Sequence, residues 1–380
     1  MMMTVLAHIS DSLTTAINGV VRKNMRLVSL AKTLIIITNF SFLITNLCAC
    51  STIDDDLSNC HNAELDYELR LVTNMTTELK TELQTELSTQ ADLQMAAALR
   101  SHLQDIFTDF AHDVDLSFYD TQGDSVRLQH DQHVMNANQA SYTLNLPMRQ
   151  YQHLAVANVV ENPVVSLAND KYCHTAYLRQ TVVNDTINCH TTGVFTARQP
   201  MEVLEGIDQT FDVKLYIANC AATFVVDTVG TGLRDLKVYT TGFATGFNIA
   251  DSTYIYSADA SPIVRTKQVN SGGDNSLLSF CSVTFPSPEE PMTRMVIDTD
   301  DPFISPDAAD ALWEIHVYAT TVLCNVTETK LFVKKPLRAG QLKIIKAKAS
   351  VDGSMKLEGN TVGVNIQTNW NHGGDYNHEL

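Results

Sequence analysis

The sequence predicts a mostly β protein, built as two consecutive β-sandwich domains of transthyretin-like or Greek-key type with a helical segment in the first. Three observations lead there. Apolar and polar residues alternate through most of the chain beyond residue 60, turn residues recur about every 8 to 15 positions, and one stretch alone shifts to a helical period. The chain has 380 residues, and what remains after its leader exceeds the size at which a single core keeps growing. The pattern loosens near ARQPMEVLEGIDQ, so the boundary is expected near 207, dividing 61–207 from 208–380.

The leader comes first. Arg22, Lys23, Arg26 and Lys32 precede an uncharged stretch from 33 to 47. That stretch is short for a membrane span, which needs about 20 apolar residues, and it suits the apolar core of a signal peptide. Met25 is the expected start of translation, and an uncleaved signal anchor is the alternative reading. Residues 47 to 50 read LCAC and resemble a bacterial lipobox, with Leu47 at −3, Ala49 at −1 and Cys50 as the residue to be lipidated. Residues 1–49 are therefore expected to leave, and 50–60 to form a lipidated tether. Asp54, Asp55 and Asp56 follow Cys50 by four to six positions. They resemble the acidic signal that sends Bacteroidetes lipoproteins to the outer face of the outer membrane; a solvated spacer is the alternative.

Charge narrows the partners. The formal net charge is −17, and it becomes about −20 once residues 1–49, with four basic side chains and one acidic, are removed. Such a chain is a poor match for nucleic acid, where affinity comes from Lys and Arg neutralising phosphates. Six cysteines remain beyond Cys50, namely Cys60, Cys173, Cys189, Cys220, Cys281 and Cys324. In an exported protein they permit disulfides, and their spacing does not choose among the pairings. No CxxC is present among them, which disfavours a thiolate metal site.

Each element then has its own signal. ELDYELRLVT places Leu65, Tyr67, Leu69 and Leu71 on one face of a strand. From Thr76 to Ala111 the period is helical, with Leu79, Leu83 and Leu87, then Met95, Leu99, Leu103, Ile106 and Phe110, and a break near 88–91. This stripe covers its own sheet or docks a partner. Glu78, Glu82 and Glu86 share the other face, as like charges on a solvent side do. DVDLSFYDTQGDSVRLQ reads as a hairpin turning at 121–124. SYTLNLP and YQHLAVANVV are further strands, the second more deeply buried. FDVKLYIANCAATFVVDT, LRDLKVYTT, STYIYSA, SFCSVTFPS, WEIHVYATTVL, TKLFVKKP and GQLKIIKAKAS continue the series. NTVGVNIQTNW closes it, alternating through Val362, Val364, Ile366, Thr368 and Trp370.

These pieces together resemble the fimbrial anchor (FimB-type) lipoproteins of Bacteroidetes type V pili. The likeness lies in the lipobox followed by IDDDLSNC, in LDYELRLVTNM, SFYDTQG and YTLNLPMRQYQHLAVAN, and in the closing TVGVNIQTNWN. The resemblance implies an outer-membrane lipoprotein carrying acyl chains such as palmitate on Cys50, exposed at the cell surface. It implies pilin subunits as partners, held by β-strand addition, with Val362, Val364 and Ile366 as the candidate donor strand.

The motif content leads to the expectation of no enzymatic activity and no cofactor. No GxSxG, HExxH or phosphate-binding loop occurs. HDQH at 130–133 and the terminal HGGDYNHEL lack the spacing that sets two imidazoles on one helix face and read as solvated polar residues. Cys173-His174 and Cys189-His190 read as a cysteine pair with adjacent histidines rather than a ligand quartet, so no metal is expected. The competing function is a surface glycan-binding lipoprotein of a nutrient-uptake system, whose sugar platforms would be Trp313 and Trp370.

Overall fold

The structure, a computed structural model, describes residues 62–371 apart from 73–74, 90–91, 108–112, 123–126, 135–140, 161, 170–175, 184–185, 206, 257–262, 271–275, 292–309 and 360–363. The expected leader and tether, with Leu47, Ala49, Cys50 and Asp54–Asp56, lie outside the described residues, as do Cys60 and Cys173.

The described chain is mostly β, in four sheets with two helices. Sheet I runs β3 (Arg127–Val134), β2 (Asp113–Asp120), β5 (Gln150–Ala157), β10 (Phe195–Glu202), β11 (Thr210–Ile217), β1 (Asn62–Val72) and β4 (Ser141–Pro147). Sheet II is smaller, in the order β15 (Thr253–Ile255), β14 (Gly246–Asn248), β7 (Ala176–Gln180) and β6 (Val165–Asn169). Sheet III holds β17 (Lys267–Val269), β18 (Leu277–Thr284), β12 (Cys220–Asp227), β21 (Leu342–Ala349) and β22 (Met355–Glu358). Sheet IV holds β23 (Val364–Asn371), β20 (Val326–Val333), β19 (Trp313–Thr320), β13 (Asp235–Thr241), β16 (Ile263–Arg265), β9 (Thr186–Asn188) and β8 (Val182–Val183). The helices are α1 (Met75–Glu86) and α2 (Leu93–Ile106), separated where the helical period breaks.

Alternation assigns each strand's two faces to different cores. In β12, Cys220, Ala222, Phe224 and Val226 meet Trp313, Ile315, Val317 and Leu331 of sheet IV, which makes sheets III and IV a sandwich. The opposite face of β12, through Ala221 and Val225, joins the core containing Leu83, Leu87, Met95, Leu99 and Leu103 of the helices. Sheet III is thus buried on both faces, and β12 reads as a continuous apolar run for that reason. In sheet I, Val114, Leu116 and Phe118 point to the helix-side core, whereas Tyr119, Leu154 and Val156 pack under sheet II. The leucine stripe therefore covers its own sheets. Gly246 shows how close sheet II is built: a Cβ there would lie 2.4 Å from the Leu178 carbonyl oxygen.

Two local expectations differ in the structure. Glu82 and Glu86 do not mark a solvent side. Lys343 and the backbone N–H of Ile344 both donate to Glu82 Oε1, at 2.9 and 3.0 Å, and Glu86 is buried 3.8 Å from the Lys343 ammonium. The pairing of β21 with β22 covers only 346–349, so a helix carboxylate satisfies the strand edge that β22 leaves open. Nor is His130 merely solvated, since its Nε2 lies 2.6 Å from the buried Asp115 carboxylate.

FDVKLYIANCAATFVVDT, one run in the sequence, becomes two strands in different sheets. The crossing occurs at Asn219, which is fully buried. Its Oδ1 accepts from Val194 N–H at 2.6 Å, its Nδ2 donates to His190 Nδ1 at 2.8 Å, and its carbonyl accepts from Gly340 N–H at 2.8 Å. The expected boundary near 207 falls between β10 and β11, which are neighbours in sheet I through Phe195↔Ile217 and Thr196↔Tyr216. Beside them, β1 and β11 pair in parallel from Asp66↔Thr210 to Val72↔Tyr216.

Candidate functional site: the C-terminal edge strand

Of the residues expected to carry function, Val364 and Ile366 are described and Val362 is not. Both lie on β23, the outermost strand of sheet IV. It pairs antiparallel with β20 from Val364↔Val333 through Ile366↔Leu331 to Asn371↔Val326. Val364 is half-buried against the sandwich core, whereas Ile366 is 39% exposed.

What distinguishes β23 is the chemistry of its edge. An edge strand presents unpaired N–H and C=O groups, and proteins blunt such edges with charge, Pro or brevity. The other end of sheet IV is the two-residue β8. Sheet III ends in a three-residue and a four-residue strand. Sheet II ends in β15, of three residues, and β6, of five. In sheet I, β3 carries Arg127 and Asp131, and β4 closes on Pro147. The edge strand VNIQTNWN is eight residues long and has neither a charge nor a proline.

The strands behind this edge are pinned by a buried charged cluster. Glu314 and His316 on β19 are fully buried, and Glu328 and Lys330 on β20 nearly so. His316 Nε2 lies 2.9 Å from Glu314 Oε2 and its Nδ1 lies 3.8 Å from Glu328 Oε1. Glu328 is also 3.6 Å from Lys330 Nζ and accepts from the Tyr318 hydroxyl at 3.0 Å. Burial alone would depress the His316 pKa, but the two carboxylates outweigh it and hold the imidazole above its ordinary range. Burial pushes Glu328 the other way, and His316, Lys330 and Tyr318 together bring it below the usual carboxylate range. The cluster is an ion network that fixes the β19–β20 register (His316↔Lys330, Tyr318↔Glu328).

The other residues that the sequence singles out take structural positions. Trp313 is 1% exposed, packs at a tilt against Phe243 and donates its indole N–H to Lys335 O at 3.0 Å, so it offers no sugar platform. The Trp370 side chain lies outside the described residues, as do the side chains of Asp131 and His133. Cys189, Cys220, Cys281 and Cys324 are free thiols, which removes the expected disulfide for these four. Cys220 faces the sheet III–IV core, whereas Cys281, opposite Thr223, faces the helix-side core, so the sheet itself separates them. No group of three or more His, Cys, Asp or Glu side chains arranged to hold a metal occurs among the described residues.

No family model and no curated protein sequence matches this chain. Solved structures do. An adhesin candidate from Bacteroides thetaiotaomicron is similar over 82% of this chain and 97% of its own, at 9% identity and a TM-score of 0.47. The fimbrial anchor protein Mfa2 from Porphyromonas gingivalis is similar over 81% and 98%, at 9% identity and a TM-score of 0.42. The tip fimbrial protein Mfa3 of the same organism is similar over 80% and 99%, at 11% identity and a TM-score of 0.40. These are loose likenesses of chain path between mostly β proteins. They say nothing of what this chain binds.

Proposed function

We propose that this protein is a lipid-anchored outer-membrane subunit of a cell-surface pilus, an anchor or accessory piece that holds a pilin by β-strand addition and performs no chemistry. The observation that carries the reading is β23: an eight-residue edge strand without charge or proline, backed by a pair of strands linked through His316, Tyr318 and Glu328. Main-chain groups along such an edge supply affinity, and the alternating Val364 and Ile366 supply register, whether the strand is offered to a partner or extended by one. The lipobox at Leu47, Ala49 and Cys50 supports the tether, and Asp54, Asp55 and Asp56 support its display outside the cell. Two consecutive domains meeting near 207, interlocked across that point by the β1–β11 pairing, belong to the same reading.

Cys50→Ala is expected to abolish labelling by a palmitate analogue and to release the protein from the outer membrane. Continued acyl labelling of that variant would overturn the lipobox assignment. Pili of normal length that stay cell-bound in a whole-gene deletion would overturn the pilus role itself.

A further inference from the structure

A second site lies where sheet I splits. The strands β10 and β11 pair at only two positions, after which β10 follows β5 and β11 follows β1. The divergence opens a cleft of about 710 Å³ bounded on one side by the end of sheet II. Its floor is the outer face of sheet I, because Val213, Leu215 and Ile217 point into the helix-side core and leave Asp212, Lys214 and Tyr216 on the opposite face. Arg198 projects from β10 into the same cleft.

The lining has a definite chemistry. Tyr216 is 56% exposed, a large aromatic ring at an open surface. Tyr254 also lines the cleft and is fixed in its wall: its hydroxyl donates to Ala218 O at 3.0 Å and its ring lies 4.7 Å from Phe247. Arg198 and Lys214 are exposed, and neither forms an ion pair with any described carboxylate. Other cations are held by carboxylates, as in Arg149–Asp120, Arg338–Glu289 and Lys346–Asp92, while some, such as Lys237 and Lys356, are like these two in having none among the described residues. Among the side chains that line the cleft, two cations, Arg198 and Lys214, stand against one carboxylate, Asp212.

We propose that this cleft binds an acidic glycan, a saccharide whose rings stack on Tyr216 and whose carboxylates pair with Arg198 and Lys214. Concave sites of this size bind small ligands through aromatic surface and a few placed polar groups. A guanidinium matches a carboxylate in bidentate geometry, and Gln199 supplies a partner for sugar hydroxyls. A peptide strand fits less well, because it needs apolar pockets at alternate positions, and Arg198, Gln199, Asp212 and Lys214 are polar. The site would let a tethered subunit hold a surface polysaccharide, a role separate from gripping a pilin.

The test is calorimetric titration of the purified full chain with oligogalacturonate, alginate oligomers and sialyllactose, beside a neutral malto-oligosaccharide and an oligoglutamate peptide. At least one carboxylated sugar is expected to bind about tenfold tighter than either control. Tyr216→Ala, and separately Arg198→Gln with Lys214→Gln, should each weaken it about tenfold without moving the melting temperature. Overturning results are absence of binding by all three acidic sugars, equal binding of the neutral sugar, or binding that survives both variants. Oligoglutamate binding as tightly, with Tyr216→Ala silent, would make the cleft a cation patch for peptides and also overturn the proposal.

Discussion

His153 and His190 are both fully buried and depend on remaining neutral. His153 sits 3.0 Å from Ser117 O and stacks on Phe118, while His190 Nδ1 accepts from Asn219. Burial is the first cause in both, bringing His153 down to about 4 and His190 to about 3. The unfolded chain therefore binds more protons than the folded one below about pH 6.5, and stability falls as pH falls from there. By the end of its window His153 should cost on the order of 3 kcal/mol and His190 on the order of 5 kcal/mol. His316 runs the other way. Its raised pKa contributes stability that is full below the unfolded value and lost as pH rises through the folded one. Denaturant titrations from pH 4 to 9 should show an acid limb that flattens in His153→Gln and an alkaline limb that flattens in His316→Gln. Unchanged limbs would remove these histidines as the titrating groups.

At the scale of elements, the helices are fastened to sheet III by β21. Lys346 contacts both Asp92 carboxylate oxygens, at 2.9 and 2.7 Å, and Asp92 is 2% exposed. Removing one partner of a buried pair strands the other charge, at about 3 kcal/mol or more, whereas replacing both with apolar residues is close to neutral. Lys346→Met alone should therefore lower stability sharply, and Asp92→Leu with Lys346→Met should recover most of it. Equal losses from single and double variants would show that the pair is not coupled. The edge strand β23 has a different balance. Among its described side chains only Val364 packs on the core, so deleting 360–380 should lower the melting temperature without unfolding the sandwich, and should abolish pilus attachment. Attachment that persists in the deletion would take strand addition away from β23.

The whole molecule joins residues far apart in the chain. The strand β1 is a parallel neighbour of β11, and Glu82 on α1 meets Lys343 on β21. A chain cut at 207 and expressed as two pieces separates two readings of the domain division. If the pieces are independent domains, each melts cooperatively alone. The β1–β11 pairing leads us to expect that 61–207 will not, because β1 leaves its parallel partner behind, and that mixing the pieces will restore a cooperative transition. Cooperative melting of isolated 61–207 would refute this interlock.

Much of this protein was decided locally. Period-2 alternation identified β1, β2, β4, β19 and β23, the leucine spacing identified α1 and α2 with their break, and the TQGD turn located the first hairpin. Periodicity records which face of an element is apolar, and that is all a strand needs to declare itself. It does not record what lies across from that face. The run through Asn219 has no Gly or Pro, so its passage from sheet I to sheet III was invisible, and only the partners of Asn219 reveal it. Glutamates spaced as on a solvent face became partners of a lysine some 260 positions away, because a strand edge there lacked a neighbour. The cleft at Tyr216 exists only because two strands part company. Burial pattern is a property of the residue and its neighbours in sequence; pairing partners, sheet exchange and clefts arise from closing the chain on itself, and only the tertiary structure decided those.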